Sequence, residues 1–248
     1  MSRFSTILLG YALPALLFVH INKKTEPCED SKNASSILSD LARSKIFNEA
    51  KDALTSATTD GKEHTVVFGK DALGNNIISQ VKSAGLKNRS SVEPNFPGAF
   101  ADMHNHPANT VPSTGDIYNL IRISGKTPLH NSRITLLANG IVYAVSIYND
   151  QLASAFIKDY PAEESGEFSP RFPEKLFNEF AELKSYLIGI QRMDKTKADE
   201  MATAYILDKY QSGVALFRLL EDNTFARVYI TQQKSPNGNT VYQFNSCK

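Results

Sequence analysis

The stretch "DMHNHPANTVPSTGD", residues 102–116, decides how the chain is read. Only five histidines occur in 248 residues, yet His104 and His106 stand two apart, and Ser113-x-x-Asp116 follows after a short loop. The residues leading in, "AFADMH", form a short apolar run. Those leading out, "GDIYNLIRIS", place Ile117, Leu120 and Ile121 on one helical face. Residues i and i+2 of a strand point to the same side. A strand ending in His-x-His therefore presents two imidazoles side by side. Ser-Thr-Gly-Asp has the composition of a helix N-terminus, so Asp116 falls in a first turn from which its carboxylate can reach back. Two imidazoles and one carboxylate suit zinc, with nitrogen at about 2.1 Å, and leave a fourth tetrahedral position open. That is the arrangement of a catalytic zinc rather than a structural one. The bland alternative is a loop that is polar by accident. Pro107 and Pro112 stiffen the loop at both ends and reduce the entropy lost in holding a site. Asp102 shares the histidines' face and is expected to support an imidazole N–H. The remaining histidines are His20, His64 and His130, and His20 lies in an apolar run. One zinc per chain is therefore the economical expectation.

Outward from the motif, the pattern is that of an α/β (α+β) protein with a mixed sheet. "SSILSDLARSKIFNEAKDALTSA" carries Ile37, Leu38, Leu41, Ile46, Ala50 and Leu54 at helical spacing and reads as one helix. "EHTVVFGKDALGNNIISQV" reads as two strands around a turn, and residues 82–98 as a long irregular connection. "RITLLANGIVYAVSIY" is a hairpin turning at Asn139-Gly140. Residues 152–212 are mainly helical, and three strands follow, with turns at Asp222-Asn223 and Pro236-Asn237-Gly238. This gives three parts: residues 1–28, a leader and linker; residues 29–150, the metal-site domain; and residues 151–248, a helical and β extension packed on the core.

Composition narrows the possibilities. Hydrophobic content of 42% with 21% charged residues marks a folded chain rather than a disordered one. Net charge is +1 with basic residues scattered, so no basic stripe exists for nucleic acid. The start, "MSRFSTILLGYALPALLFVHINKK", has Arg3 followed by an apolar run over residues 4–21. It reads as a signal peptide or a membrane anchor, which implies an exported or membrane-anchored protein of the bacterial envelope or the secreted fraction. A buried N-terminal helix is the alternative. Cys28 and Cys247 stand near opposite ends. They are either unrelated thiols or a disulfide made in an oxidising compartment.

"HNHPANTVPSTGD" resembles the signature of the JAB/JAMM (MPN) zinc metalloproteases: His-x-His, a loop, then Ser-x-x-Asp. The "MHNHP" wording is closest to the RadC-type domains and the JAB-like domains of bacterial polymorphic toxins. The resemblance covers residues 60–148. It implies a curved mixed sheet with flanking helices, a JAB/MPN-like (cytidine-deaminase-like) core. It implies His104, His106 and Asp116 as zinc ligands, Glu63 as general acid/base, and Ser113 as a donor to the oxyanion. Glu93 is the competing carboxylate, and His64 is expected to point away from the site. Six residues separate His106 from Ser113, where the family loop has seven, which bears most on Ser113. The activity implied is that of a peptidase or isopeptidase on a peptide or protein substrate. A ubiquitin-like tail, a peptide and a toxin polyprotein all stay open. The rival classes are an inactive JAB/MPN-like binding module and a structural, envelope-associated protein.

Overall fold

The computed structural model describes residues 27–87, 95–164 and 170–248. The apolar run of residues 4–21 and Glu93 lie outside the described residues. The strands are β1 (His64–Lys70), β2 (Asn76–Ile78), β3 (Lys82–Ser83), β4 (Ala101–His106), β5 (Ser132–Leu137), β6 (Val142–Ile147), β7 (Val214–Leu219), β8 (Phe225–Lys234) and β9 (Thr240–Cys247). The helices are α1 (Pro27–Asp30), α2 (Lys32–Ala42), α3 (Lys45–Ala57), α4 (Thr114–Ser124), α5 (Asp150–Asp159), α6 (Glu174–Gly189) and α7 (Lys195–Lys209). One open, mostly antiparallel sheet runs β2-β1-β4-β5-β6-β7-β8-β9, with β3 also beside β1. Among the described residues only β4 and β5 pair in parallel. Parallel neighbours need a crossover, and α4 supplies it. The chain therefore leaves the carboxyl end of β4, turns through residues 107–113 and starts a helix there.

Alternation along the strands builds a different core on each face. Val66, Phe68, Met103, Ile134, Ala144 and Phe217 pack with Phe47 and Leu54 of α3 and Leu38 of α2. The opposite face, under α4 to α7, is apolar beneath β6 and β7, where Tyr143, Val145 and Leu216 meet Ile117, Phe156 and Ile206. Beneath β4 and β5 that same face carries Asp102, His104, His106, Arg133 and Thr135, all buried. Burying a large apolar side chain contributes about 1.5–3 kcal/mol. The many residues of the two clusters therefore carry a few buried charges without loss of the fold.

Three local readings are corrected. The segment expected as one helix is two, α2 and α3, broken at Arg43-Ser44. Ser44 adopts an extended conformation, its N–H bonds to the Leu41 carbonyl, and its hydroxyl caps Phe47 N–H, so a serine able to cap ended one helix and began another. Ile37, expected on the core face, is 47% exposed, because α2 turns Ala34, Leu38 and Leu41 inward instead. The connection of residues 82–98 is not wholly irregular, because β3 pairs with β1 at His64 and Thr65. The β5–β6 turn uses Gly140 alone in the left-handed region, at φ 86°, with Gly140 N–H bonding to Leu137 O. This is the three-residue hairpin loop rather than a two-residue Asn-Gly turn.

Residues 151–248 continue the sheet through β7 on β6, and α6 and α7 pack beside it. Cys28 of α1 and Cys247 of β9 form a disulfide across a sequence separation of 219, with Cα atoms 5.8 Å apart. No helix among the described residues is long and apolar enough to cross a membrane.

Candidate metal centre

His104 and His106 close β4, and the pleat turns both rings to the α4 side. Asp116 stands at the third position of α4, where Ser113 is the N-cap. The two form a reciprocal cap: Asp116 N–H donates to Ser113 Oγ at 3.2 Å, and Ser113 N–H donates to Asp116 Oδ2 at 2.7 Å. The Ser113 hydroxyl also donates to Oδ2, at 2.7 Å. The positive end of the helix dipole favours an ionised carboxylate there. This ordinary helix start thereby holds Asp116 over the end of β4. His104 Nε2 is 3.3 Å from Asp116 Oδ1, and His106 Nε2 is 3.5 Å from Oδ2. The two Nε2 atoms are 3.0 Å apart.

Glu63 reaches the site through strand register. Thr65 lies opposite His104, so the position two earlier lies opposite His106 on the same face. Glu63 Oε1 is 3.8 Å from His106 Nε2. Its backbone is gripped by the β3 segment, through Glu63 N–H to Leu86 O and Ser83 Oγ to Glu63 O. His64 points to the other face, with Nε2 3.1 Å from Asp60 Oδ1.

His104, His106 and Asp116 could hold a metal ion: all three are buried, with donor atoms within 4.8 Å of one another. Donors around a tetrahedral ion at about 2.0–2.1 Å lie about 3.3–3.4 Å apart, and the separations of 3.0 to 3.5 Å match that edge. The tautomers fit as well. His106 Nδ1 donates to the Thr110 carbonyl at 2.7 Å, which leaves Nε2 with a lone pair aimed at the cluster. Asn109, at φ 54°, bends the loop, and its side-chain oxygen accepts from Asn139 N–H of the β5–β6 turn.

The charges are those of a cation site. Burial resists a charge on His104, but the Asp116 and Asp102 carboxylates together outweigh it and push the ring up to about 9. Burial alone would raise Asp116; the His104 ring and its hydrogen bonds, with His106 and Arg133, hold it well below the usual carboxylate range. Glu63 is raised, mainly by burial.

Four partners were not read from the sequence. Arg133, 3% exposed, has Nε 3.2 Å from Asp116 Oδ1 and 3.4 Å from Asp102 Oδ1. His130 Nε2 is 2.9 Å from Asp102 Oδ2. Thr135 Oγ1 lies 3.4 Å from His104 Nε2, and Thr110 Oγ1 lies 3.1 Å from His106 Nδ1. Arg133 and Thr135 do alternate with Ile134 and Leu136. That pattern equally describes a strand with one wet face, and only pairing against β4 turns it inward. No protein-family model matches the chain, and no curated protein or solved structure matches it either.

Proposed function

We propose that the chain is a zinc-dependent hydrolase of JAB/JAMM type, cleaving a peptide or isopeptide bond. One observation carries the reading: the buried triad His104, His106 and Asp116, with the Glu63 carboxyl 3.8 Å from His106 Nε2. These are the residue types, in the chain order, that the resemblance implies. His104, His106 and Asp116 would hold one zinc, which when bound supplies an activated water and polarises a carbonyl. Glu63 takes a proton at its carboxylate and passes it to the leaving amine. Its raised affinity for a proton suits that exchange, since a carrier works best near the operating pH. Ser113 fixes Asp116 through two bonds to Oδ2, and donation to an oxyanion requires its hydroxyl to turn away from that atom. The substrate is a peptide or protein. The Cys28–Cys247 disulfide supports an exported or envelope setting, where such bonds persist.

A second reading, an inactive binding module of the same fold, is favoured by how closed the site is: His104 is 0% exposed and Glu63 9%. Elemental analysis separates the outcomes. The full chain, purified without added metal, is expected to carry about one zinc, and His104→Ala/Asp116→Ala little. Glu63→Gln is expected to keep zinc and lose peptide hydrolysis by about 10²–10⁴-fold. Zinc in neither protein sinks the metal reading. A wild type whose behaviour Glu63→Gln does not alter makes the chain a binding module.

A further inference from the structure

We propose that Arg133 is a positioning residue of the metal centre, setting two of its three ligands through Asp102 and Asp116; this rests on the zinc reading above. Asp102 and Arg133 are direct neighbours in the parallel β4–β5 register. Both side chains are buried on the face that bears the histidines, at 0% and 3% exposure. The Arg133 guanidinium lies between two carboxylates, with Nε 3.2 Å from Asp116 Oδ1 and 3.4 Å from Asp102 Oδ1. Asp116 is itself a ligand. Asp102 stands behind another: its Oδ1 faces His104 Nδ1 at 3.8 Å, while His130 holds its Oδ2 at 2.9 Å.

Asp102 Oδ1 and His104 Nδ1 are complementary, fully buried, and neither has a hydrogen-bond partner in the metal-free chain. The two atoms stand 3.8 Å apart, so a small displacement of the His104 ring toward Asp102 closes that bond. Metal-bound histidines regularly donate their second ring N–H to a carboxylate, which fixes ring and tautomer. The geometry supplies that carboxylate and the residues that hold it.

Stability does not account for the arrangement. Buried ion pairs are often matched or bettered by apolar residues of the same volume. Repulsion of a cation by Arg133 does not decide the outcome either, because Asp102 balances its charge. Arg133 supplies position: its buried Nε lies within ion-pair distance of both carboxylates at once, a placement that the compact, strongly hydrated lysine ammonium does not reproduce. His130 completes the hold on Asp102 from the segment before β5.

The test compares wild type with Asp102→Asn, Arg133→Met and Arg133→Lys in the full chain. Zinc affinity is measured by competition with a chromophoric chelator, folding by circular dichroism, and ligand geometry by the visible spectrum of the cobalt(II)-loaded protein. Folded Asp102→Asn and Arg133→Met are expected to bind zinc about 10–100-fold more weakly. Arg133→Lys is expected between them and wild type, and the cobalt bands are expected to shift in all three. If Arg133→Met does not fold, the near-isosteric Asp102→Asn decides. Folded variants with wild-type affinity and an unchanged cobalt spectrum overturn the proposal, as does tighter binding by Arg133→Met. A wild type that takes up no metal overturns the zinc reading itself, and is recognised before any variant is compared.

Discussion

His104 and His106 sit side by side and are prepared differently. His106 has its ring orientation fixed: its Nδ1 donates to the Thr110 carbonyl, so Nε2 is the nitrogen turned to the cluster. His104 lies against Asp116 and holds a proton up to about 9 in the metal-free chain. A metal requires the unprotonated nitrogen, so loading at pH 7 must displace that proton. Zinc affinity is therefore expected to rise with pH, about tenfold per unit, and to level off above about 9. Calorimetric titration in two buffers of different ionisation enthalpy measures the protons released. Zinc uptake with no proton release would mean that His104 is already neutral in the free chain. Glu63 differs from His104 in being raised chiefly by burial, and opening its surroundings to water should bring it back toward an ordinary carboxylate.

The element that builds the site is the turn from β4 into α4. Its loop is one residue shorter than that of the JAB/JAMM signature it resembles, yet Asp116 still reaches both rings, because Ser113 begins the helix and Asp116 closes the cap on it. Replacing Ser113 with alanine removes the hydroxyl that bonds both Asp116 N–H and Oδ2. Ser113→Ala is expected to cost about 0.5–2 kcal/mol, read as a lower urea midpoint. An unchanged midpoint would show that the backbone N–H of Ser113 holds Asp116 alone. A second junction is stricter. Gly213, at φ 68°, leads into β7 against the start of α5, and an added Cβ would lie 2.3 Å from Asn149 O. Gly213→Ala is expected to destabilise by about 1–3 kcal/mol, because both the left-handed backbone and the contact with a carbonyl oxygen oppose it.

At the scale of the molecule, one sheet carries everything from β1 to β9, and the disulfide ties its last strand to the first described helix. Closing so long a loop restricts the unfolded chain far more than the folded one. Cys28→Ser/Cys247→Ser is expected to lose roughly 2–5 kcal/mol, seen as a fall in thermal midpoint that reduction of the wild type reproduces. If reduction leaves the midpoint unchanged, the ends are held by packing alone. The variant should keep its zinc, since α1 and β9 contribute no residue to the metal centre. A groove of about 1020 Å³ between α6, α7 and the β8–β9 hairpin, lined by Tyr186, Tyr205 and Tyr242, lies apart from that centre. The group that could hold a metal ion is instead the buried triad.

What the sequence determined by itself is what depends on neighbours along the chain. A period of two puts His104 and His106 on one face, and a three-residue cap interval joins Ser113 to Asp116, so the triad was legible without any long-range contact. The turn positions at Asn139-Gly140, Asp222-Asn223 and Pro236-Asn237-Gly238 are equally local, although the first closes as a three-residue loop. The break at Ser44 was not read, because a serine continuing a helix and one capping the next differ only in backbone angles. The tertiary structure alone decided the rest. Asp102 meets Arg133 because β4 and β5 pair in parallel at one register; a slip of one residue would turn Arg133 to the other face. His130 reaches Asp102, and Cys28 finds Cys247, through contacts that no interval along the chain encodes. Such register is set by which faces of both strands must be buried at once, so the supports of the site become visible only when the whole sheet is assembled.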